Sequence, residues 1–243
     1  MRYRIILALT FFIFQCGELL AGPGGKIAKE LFDSPLGKIV GVFLFIVLSP
    51  LIAYLWYKKN KSIRSTKKKM AMLSQINYEV FDEINLKNRM TDIFRRVHKA
   101  WSEKDVTDCE AYMTSWYMQN QQSVFLDEWK RKGMMNVCSI QEVNSVNPIH
   151  IRITENPDFD GSRIMYAIDA NMEDYLVKID DSSVVEGKKG FKDVETVWTL
   201  RLDNNVWKVD NIEQSVAISS YAKMDSELSD NLIYRMYESG SYS

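Results

Sequence analysis

The chain has 243 residues, of which 46% are hydrophobic and 26% are charged, and this length suggests one or two folded units. Its formal net charge is -1, but residues 1–69 contain 12 Lys/Arg against 3 Asp/Glu, whereas residues 70–243 contain 19 against 29. Phosphate backbones repel an acidic domain of this kind, so its charge argues against nucleic-acid binding.

The first 21 residues have the layout of a secretory signal peptide. Arg2 and Arg4 precede the apolar run Ile5–Phe14, and a small, turn-prone stretch follows at Ala21–Gly25. Cleavage after Ala21 and retention as a first membrane span both fit this pattern. In either case residues 22–37 are predicted to form a short extracytoplasmic segment.

Residues 38–57 are predicted to form a transmembrane helix. No residue from Ile39 to Tyr57 is charged, and this apolar run of about 19 residues is close to the length that crosses a bilayer. Pro50 is tolerable in such a helix because neighbouring groups can satisfy the carbonyl that it frees. Trp56 and Tyr57 are typical of the membrane–water interface, which favours a membrane helix over a buried helix of a soluble protein.

A dense group of cations follows, in residues 58–82, which we interpret as a basic neck and linker. By the positive-inside rule these cations place everything after Tyr57 in the cytoplasm, so the sequence predicts a protein of the bacterial inner membrane. We also expect them to contact anionic lipid headgroups, although a pure topology signal explains them equally well. The cations are Lys58, Lys59, Lys61, Arg64, Lys67, Lys68 and Lys69.

Residues 83–215 are predicted to begin with helices. Apolar residues at three-to-four spacing predict a helix over Glu83–Lys104. Thr107 and Glu110 match a capping box, which predicts the start of a second helix. A third, short helix is predicted from about Ser123 to Gly133.

Strands are predicted after Gly133, where the apolar period changes from about 3.6 residues to two. The two-residue pattern covers residues 149–153, 164–172 and 196–202, and an Asp-Asn-Asn turn then leads into Val206–Ile212 as a hairpin. Helices followed by antiparallel strands imply an α+β fold in which helices cover one face of the sheet. In the C-terminal tail, residues 216–243, apolar residues at spacing four favour a last small helix.

Two motifs give this domain a family resemblance. The first is Val97-His98-Lys99-Ala100-Trp101-Ser102-Glu103-Lys104-Asp105 with Tyr112-Met113-Thr114 and Tyr117, and the second is the tryptophan hairpin Val197-Trp198-Thr199-Leu200-Arg201 with Val206-Trp207-Lys208-Val209-Asp210. Residues 83–215 resemble the Tim-forty-four-like domain family, which is named after the mitochondrial import-motor tether.

The resemblance implies a cystatin-like or nuclear-transport-factor-two-like fold, with helices packed on a curved antiparallel sheet around an apolar pocket. It also implies a membrane-proximal scaffold, since mitochondrial members recruit a heat-shock chaperone and associate with cardiolipin-containing membrane. Bacterial members commonly carry a leader and a membrane span before the domain, as this chain does. Mitochondrial members use a long N-terminal region for chaperone contacts, and no counterpart of that region is expected here.

Five aromatic residues are candidates for lining such a pocket, where a lipid tail or a hydrophobic peptide would bind. At these spacings the same residues are also expected in an ordinary core. They are Trp101, Tyr112, Trp116, Trp198 and Trp207.

No motif supports catalysis, nucleotide binding or metal binding. His98 and His150 are the only histidines, and either could serve as a general base in a fold of this type. Asn156–Gly161 imitates the opening of a calcium loop, but Ala167 occupies the position of the bidentate Glu, so a β-turn is predicted there. Cys16, Cys109 and Cys138 lack disulfide-framework or metal-ligand spacing. We therefore expect no cofactor and no metal.

The sequence favours a membrane-anchored, non-catalytic scaffold whose cytoplasmic domain binds a membrane protein, a chaperone or a lipid, in protein translocation or membrane-protein assembly. One alternative is a small-molecule-binding or hydro-lyase-type enzyme that uses the same cone-shaped fold. Another is a structural component of a secretion apparatus, whose comparable domains lie on the other side of the membrane.

Overall fold

The computed structural model describes residues 34–224 and Tyr234, so the predicted signal peptide, most of the predicted extracytoplasmic segment and most of the predicted tail helix lie outside the described residues. The chain divides into two compact units between Trp56 and Tyr57. Helix α1, Pro35–Ile76, contributes residues to both units. The four-residue helix α2, Tyr78–Phe81, and the long helix α3, Glu83–Glu103, follow it.

Side-chain caps delimit the helices after α1. The Asn77 side chain accepts a hydrogen bond from the Val80 N–H (3.2 Å), and the Asp82 carboxylate accepts one from the Asn85 N–H (2.7 Å). Lys104, in the left-handed region at φ 61°, ends α3. The apolar stripe of α3 is buried as its spacing predicts, including Met90, Ile93, Phe94 and Val97.

The predicted capping box at Thr107 and Glu110 is wrong. The Asp105 carboxylate accepts hydrogen bonds from both the N–H and the hydroxyl of Thr107, so this side chain does not cap a helix, and Thr107–Cys109 is a single 3-10 turn. Helix α4, Ser115–Asn120, begins instead at the cap residue Thr114. It continues through the π-helix Gln121–Leu126 into α5, Asp127–Arg131, so the predicted third helix is the end of a longer helical segment.

An antiparallel sheet forms the rest of the domain, which confirms the α+β class. Its strands within residues 134–214 have the spatial order β1-β2-β4-β5, and β3 pairs with the end of β2. They are β1 (Met134–Arg152), β2 (Arg163–Lys178), β3 (Val184–Gly187), β4 (Lys192–Asp203) and β5 (Val206–Gln214).

Strand β1 starts at Met134, well before the predicted Ile149. Three register irregularities interrupt its pairing with β2, near residues 141, 144 and 149. Each bulge places two residues of β1 opposite one residue of β2, so the alternation of apolar and polar side chains is lost. The sequence pattern therefore shows only the last four of the 19 residues of this strand.

The two faces of the sheet bury different side chains. On β2, Ile164, Tyr166 and Ile168 belong to the main core together with the apolar stripe of α3. Met165 and Ala167 point the opposite way, into a smaller cluster that includes Ile149, Val197 and Ile218. The short helix α6, Val216–Tyr221, supplies Ile218 to this second cluster.

The folded core begins before residue 83, in the segment that the sequence pattern assigns to a linker. Met70, Leu73 and Phe81 are fully buried, and Val80 is nearly so, all within the main core. A spacing of three places Met70 and Leu73 on one face of α1, although three lysines immediately precede them in the sequence. Residues 70–81 are thus part of the domain and not a connector.

A short segment covers the outer edge of β5. Met113 forms a parallel bridge with Val209. The Thr114 N–H donates to the Val209 carbonyl (2.9 Å), and the Val209 N–H donates to the Tyr112 carbonyl (2.8 Å). We call residues 112–114 the β5 cap, because they satisfy backbone groups that an edge strand otherwise leaves unpaired.

Candidate functional site

The first half of α1 has the properties of a membrane span. Within the described residues, one helical stretch, Lys38–Ile76, contains an 18-residue window of mean hydropathy 2.4, and none of that window is buried. Large apolar side chains are exposed all around it, including Ile39 (67%), Phe43 (64%) and Ile46 (62%). A helix that is apolar on every side and unburied needs a hydrocarbon environment, which points to membrane anchoring.

The second half of α1, from Tyr57 to Ile76, is amphipathic. Ile63 packs against the second apolar cluster, the Ser62 hydroxyl donates to the Ile149 carbonyl, and Thr66 is buried. Met70 and Leu73 then enter the main core. This half of the helix is therefore an integral element of the domain.

Packing separates the seven candidate lipid-binding cations into two groups. Lys59 forms an ion pair with Glu195, and Lys67 forms one with Glu83 (2.6 Å). Lys58 and Lys69 are half-buried and also make interactions within the protein. These four side chains are at least partly committed to the fold.

The other three cations, Lys61, Arg64 and Lys68, are exposed. Their spacings of three and four place them on one face of α1, opposite the face that enters the core. We call them the basic stripe. At about 1.5 Å per residue the stripe extends for roughly 10 Å along the helix. A charged face of these dimensions can bind phosphate-bearing headgroups.

The Lys59–Glu195 pair compensates a repulsive arrangement in the sheet. Glu195 on β4 lies directly opposite Asp169 on β2. Like charges at such a position destabilise a sheet, so a cation from α1 offsets the repulsion. No local sequence pattern indicates this pair, because its two members are separated by 136 positions.

The five aromatic residues predicted to line a pocket occupy different environments. Trp198 is buried beside Trp101, with ring centroids 6.4 Å apart, and Trp207 packs edge-on against Phe81 at 6.1 Å. The Trp207 N–H donates to the Val80 carbonyl (2.9 Å). These contacts place Trp198 and Trp207 in the core and leave Trp101 half-buried at its margin.

Of the remaining two aromatic residues, Tyr112 is half-buried against the main core and Trp116 lies outside it. The guanidinium groups of Arg89 and Arg96 stack on the Tyr112 ring, at 4.7 and 4.6 Å from its centroid. Trp116 is 66% exposed. An open depression of about 330 Å³ lies between α3 and β1, and its lining includes Arg95, Lys99, Ser102 and Cys138. None of the five aromatic residues lines it.

Both histidines are buried. The His98 ring lies among Phe94, Trp101 and Trp198, and its Nδ1 is 2.7 Å from the Phe94 carbonyl oxygen. Burial lowers the pKa of His98 below its usual value, although the hydrogen bond to the Phe94 carbonyl and the charge of Asp174 both act in the opposite direction. His98 is thus held as a neutral core ring. His150 lies on the other face of the sheet beside Tyr221, with ring centroids 5.9 Å apart.

Burial also lowers the reactivity of the Cys138 thiol. Burial raises the pKa of the Cys138 thiol to about 12, so this thiol is a poor nucleophile at neutral pH. Asn156–Gly161 forms turns, as predicted, with Phe159 fully buried at φ 58°. Among residues 34–224 no group of His, Cys, Asp and Glu side chains is arranged to hold a metal ion.

Comparisons with known proteins assign the chain to no family. No family and no curated protein matches its sequence. Among solved structures it is similar to the crystal structure of the intermembrane-space region of the chloroplast protein ARC6, with 8% identical residues and a TM-score of 0.39, over 55% of this chain and 98% of that one. A likeness at this level carries no inference about function.

Proposed function

We propose that the protein is a membrane-anchored scaffold of the Tim-forty-four-like type, with a cystatin-like or nuclear-transport-factor-two-like domain. Its domain lies on the cytoplasmic side of the bacterial inner membrane and binds a membrane-protein partner and anionic lipid. Protein translocation or membrane-protein assembly is the process that such a scaffold serves.

The observation that carries the proposal is the change of character along α1. Its apolar half is exposed on all sides, and its amphipathic half begins at Tyr57 and is packed into the domain. Positive charges start immediately after Tyr57, which by the positive-inside rule favours a cytoplasmic domain. Tethering raises the effective concentration of the domain toward other membrane-bound proteins to the order of millimolar, so weak contacts suffice.

The basic stripe supports the lipid part of the proposal. Lys61, Arg64 and Lys68 follow the apolar half of the helix after about one, two and three turns, and all three are exposed. Attraction to an anionic surface is about 1 kcal/mol per residue and falls off within a Debye length of about 10 Å. Lys61 is therefore expected to contribute the most and Lys68 the least.

A pair of reporter fusions tests the topology. We expect a C-terminal green fluorescent protein to be fluorescent and a C-terminal alkaline phosphatase to be inactive, because phosphatase folds only outside the cytoplasm. An active phosphatase with a dark fluorescent protein contradicts the proposal and supports a component of a secretion apparatus instead.

Lipid co-purification tests the stripe. The variant Lys61→Glu/Arg64→Glu/Lys68→Glu should lose anionic lipid from detergent-purified protein, as measured by mass spectrometry. The matched control is Lys87→Glu/Arg95→Glu/Lys99→Glu, which reverses three exposed cations on α3 and makes the same change in net charge. Equal lipid content in the two variants contradicts a specific role for the stripe.

A further inference from the structure

The connection from β2 to β4 forms an exposed projection. Every residue from Lys178 to Asp193 is exposed, including all of β3. We call residues 178–193 the β3 tip. It carries four large apolar side chains in solvent: Ile179 (52%), Val184 (40%), Val185 (48%) and Phe191 (49%). Four exposed large apolar side chains within sixteen residues make this projection a candidate contact surface.

Strand β3 is paired on one side only. It contacts β2 through Gly187–Tyr175, Glu186–Leu176 and Val184–Val177. Strand β5 pairs with β4 only as far as Thr196, so it does not extend to β3, and no other strand in the described part of the chain pairs with β3. The outer edge of β3 therefore presents backbone groups without strand partners.

The charges of the tip are arranged in a self-complementary order. Asp180 and Asp181 precede the two valines, and Lys188 and Lys189 follow them. Asp181 stands four positions before Val185, and Lys189 stands four positions after it. If a second copy runs antiparallel about Val185, the valines meet at the centre and Asp181 of each copy lies beside Lys189 of the other, whereas the outermost lysines of the two tips face each other as like charges. Opposite charges across such a pair are stabilising, whereas a parallel arrangement sets like charges together.

We propose that the β3 tip is an isologous interface that joins two copies of this chain. A two-fold axis near Val185 buries the apolar side chains and matches the acidic end of each tip with the basic end of the other. The bulge in the β2–β3 pairing and the short length of β3 disfavour pairing with an arbitrary strand, so the side chains supply the specificity.

The size of the tip determines where the dimer forms. Stable interfaces in solution bury about 1,200–2,000 Å², which is more than one short hairpin provides. Two copies anchored in one bilayer meet at an effective concentration of the order of millimolar, so a weak interface is populated there. The inference rests on the proposed function only through this anchoring.

Disulfide cross-linking tests the central contact. Full-length protein with Val185→Cys, reconstituted in vesicles and oxidised, should form dimers several times more efficiently than Val216→Cys. Val216 is 75% exposed on α6, so it controls for random collisions in the same membrane. Equal yields at the two positions overturn the proposal.

Charge reversal in the Val185→Cys background tests the orientation. Asp181→Lys and Lys189→Asp should each lower the dimer yield roughly fivefold, because each creates two like-charge contacts by symmetry. The double variant should restore the yield, and so should a mixture of the two single variants, in which unlike copies attract. Glu155→Lys, at an exposed position outside the tip, should leave the yield unchanged.

The Asp181 carboxylate also accepts a hydrogen bond from the Ser183 N–H (2.9 Å), so thermal unfolding is measured for each variant. If Asp181→Lys unfolds the tip, Lys188→Asp/Lys189→Asp decides the question, because an unchanged dimer yield in that variant overturns the proposal.

Resistance to carbonate extraction is scored first for every variant. Loss of membrane insertion contradicts the proposed function, whereas lost or unspecific cross-linking of a fully inserted protein contradicts only the dimer.

Discussion

The two halves of α1 are continuous in sequence and helical throughout, yet they suit different surroundings. From Ile39 to Trp56 the large apolar side chains are exposed on every side, whereas from Tyr57 to Ile76 they lie on one face and are buried at Met70 and Leu73. Helix propensity does not distinguish the halves. The distribution of apolar residues around the axis does, and it changes at Lys58, the first cation after the apolar run.

The strongest test of this comparison places charges in the apolar half. Leu44→Arg/Leu48→Arg should abolish membrane insertion, because each Arg near the centre of a span costs about 2.5–3.5 kcal/mol on insertion scales. The matched control, Ser65→Arg/Ala71→Arg, adds the same charges at exposed positions of the second half and should insert normally. Carbonate extraction measures both. An unchanged membrane fraction for the Leu variant would falsify the assignment of the span.

The amphipathic half is tested by truncating a buried side chain. Leu73→Ala should lower the free energy of unfolding by about 2–5 kcal/mol, since Leu73 is fully buried in the main core. Lys68→Ala, at an exposed position of the same helix, should change it by no more than about 0.5 kcal/mol. Chemical denaturation in mild detergent, followed by tryptophan fluorescence, measures the difference. Equal midpoints would mean that residues 70–82 are a linker after all.

The exclusion of water from the main core, into which this half packs, is tested by the pH dependence of stability. Burial lowers the pKa of His98 in the folded state, so the unfolded chain binds a proton at a higher pH than the folded protein does. Stability should therefore be constant above about pH 6.5 and fall below it, by at most about 1.4 kcal/mol per pH unit, until the pH passes the folded pKa. His98→Gln should flatten the profile between about pH 7 and pH 5. A wild-type profile that is already flat there contradicts the buried neutral ring.

The smallest expected effect concerns the cations of the second half. Lys59→Ala should destabilise the domain by about 1 kcal/mol or less, because its ion pair with Glu195 is partly exposed. Lys61→Ala, at an exposed position of the stripe, should have no measurable effect on folding. Thermal unfolding compares the two. Equal losses would show that packing does not divide the cations into a structural and an exposed group.

The parts of the fold that could be predicted are those encoded by local patterns. The buried stripe of α3 follows its three-to-four spacing, and the β4–β5 hairpin follows from Asn204 and Asn205, which adopt φ of 51° and 60° at the turn. The start of β1 could not be predicted, because bulges remove its alternation. The burial of Met70 and Leu73 was masked by the run of lysines that immediately precedes them.

The candidate site was harder to predict because it depends on contacts between distant residues. Lys59 and Lys61 look alike in the sequence, and only the position of Glu195 separates them. Likewise Trp116 and Tyr117 are neighbours, but one is exposed and the other buried, which follows from the direction in which α4 packs. Residue type therefore indicated the kind of chemistry, and the tertiary structure decided which side chains remain accessible.

The β5 cap limits how far this protein can polymerise. Molecules crowded in one membrane are at risk of continuous sheet growth, which requires two open edges on each subunit. The backbone of β5 is engaged by residues 112–114, and the bulges of β1 make that strand a poor template. An assembly that starts at the outer edge of β3 consequently stops at a finite size and does not extend into a filament.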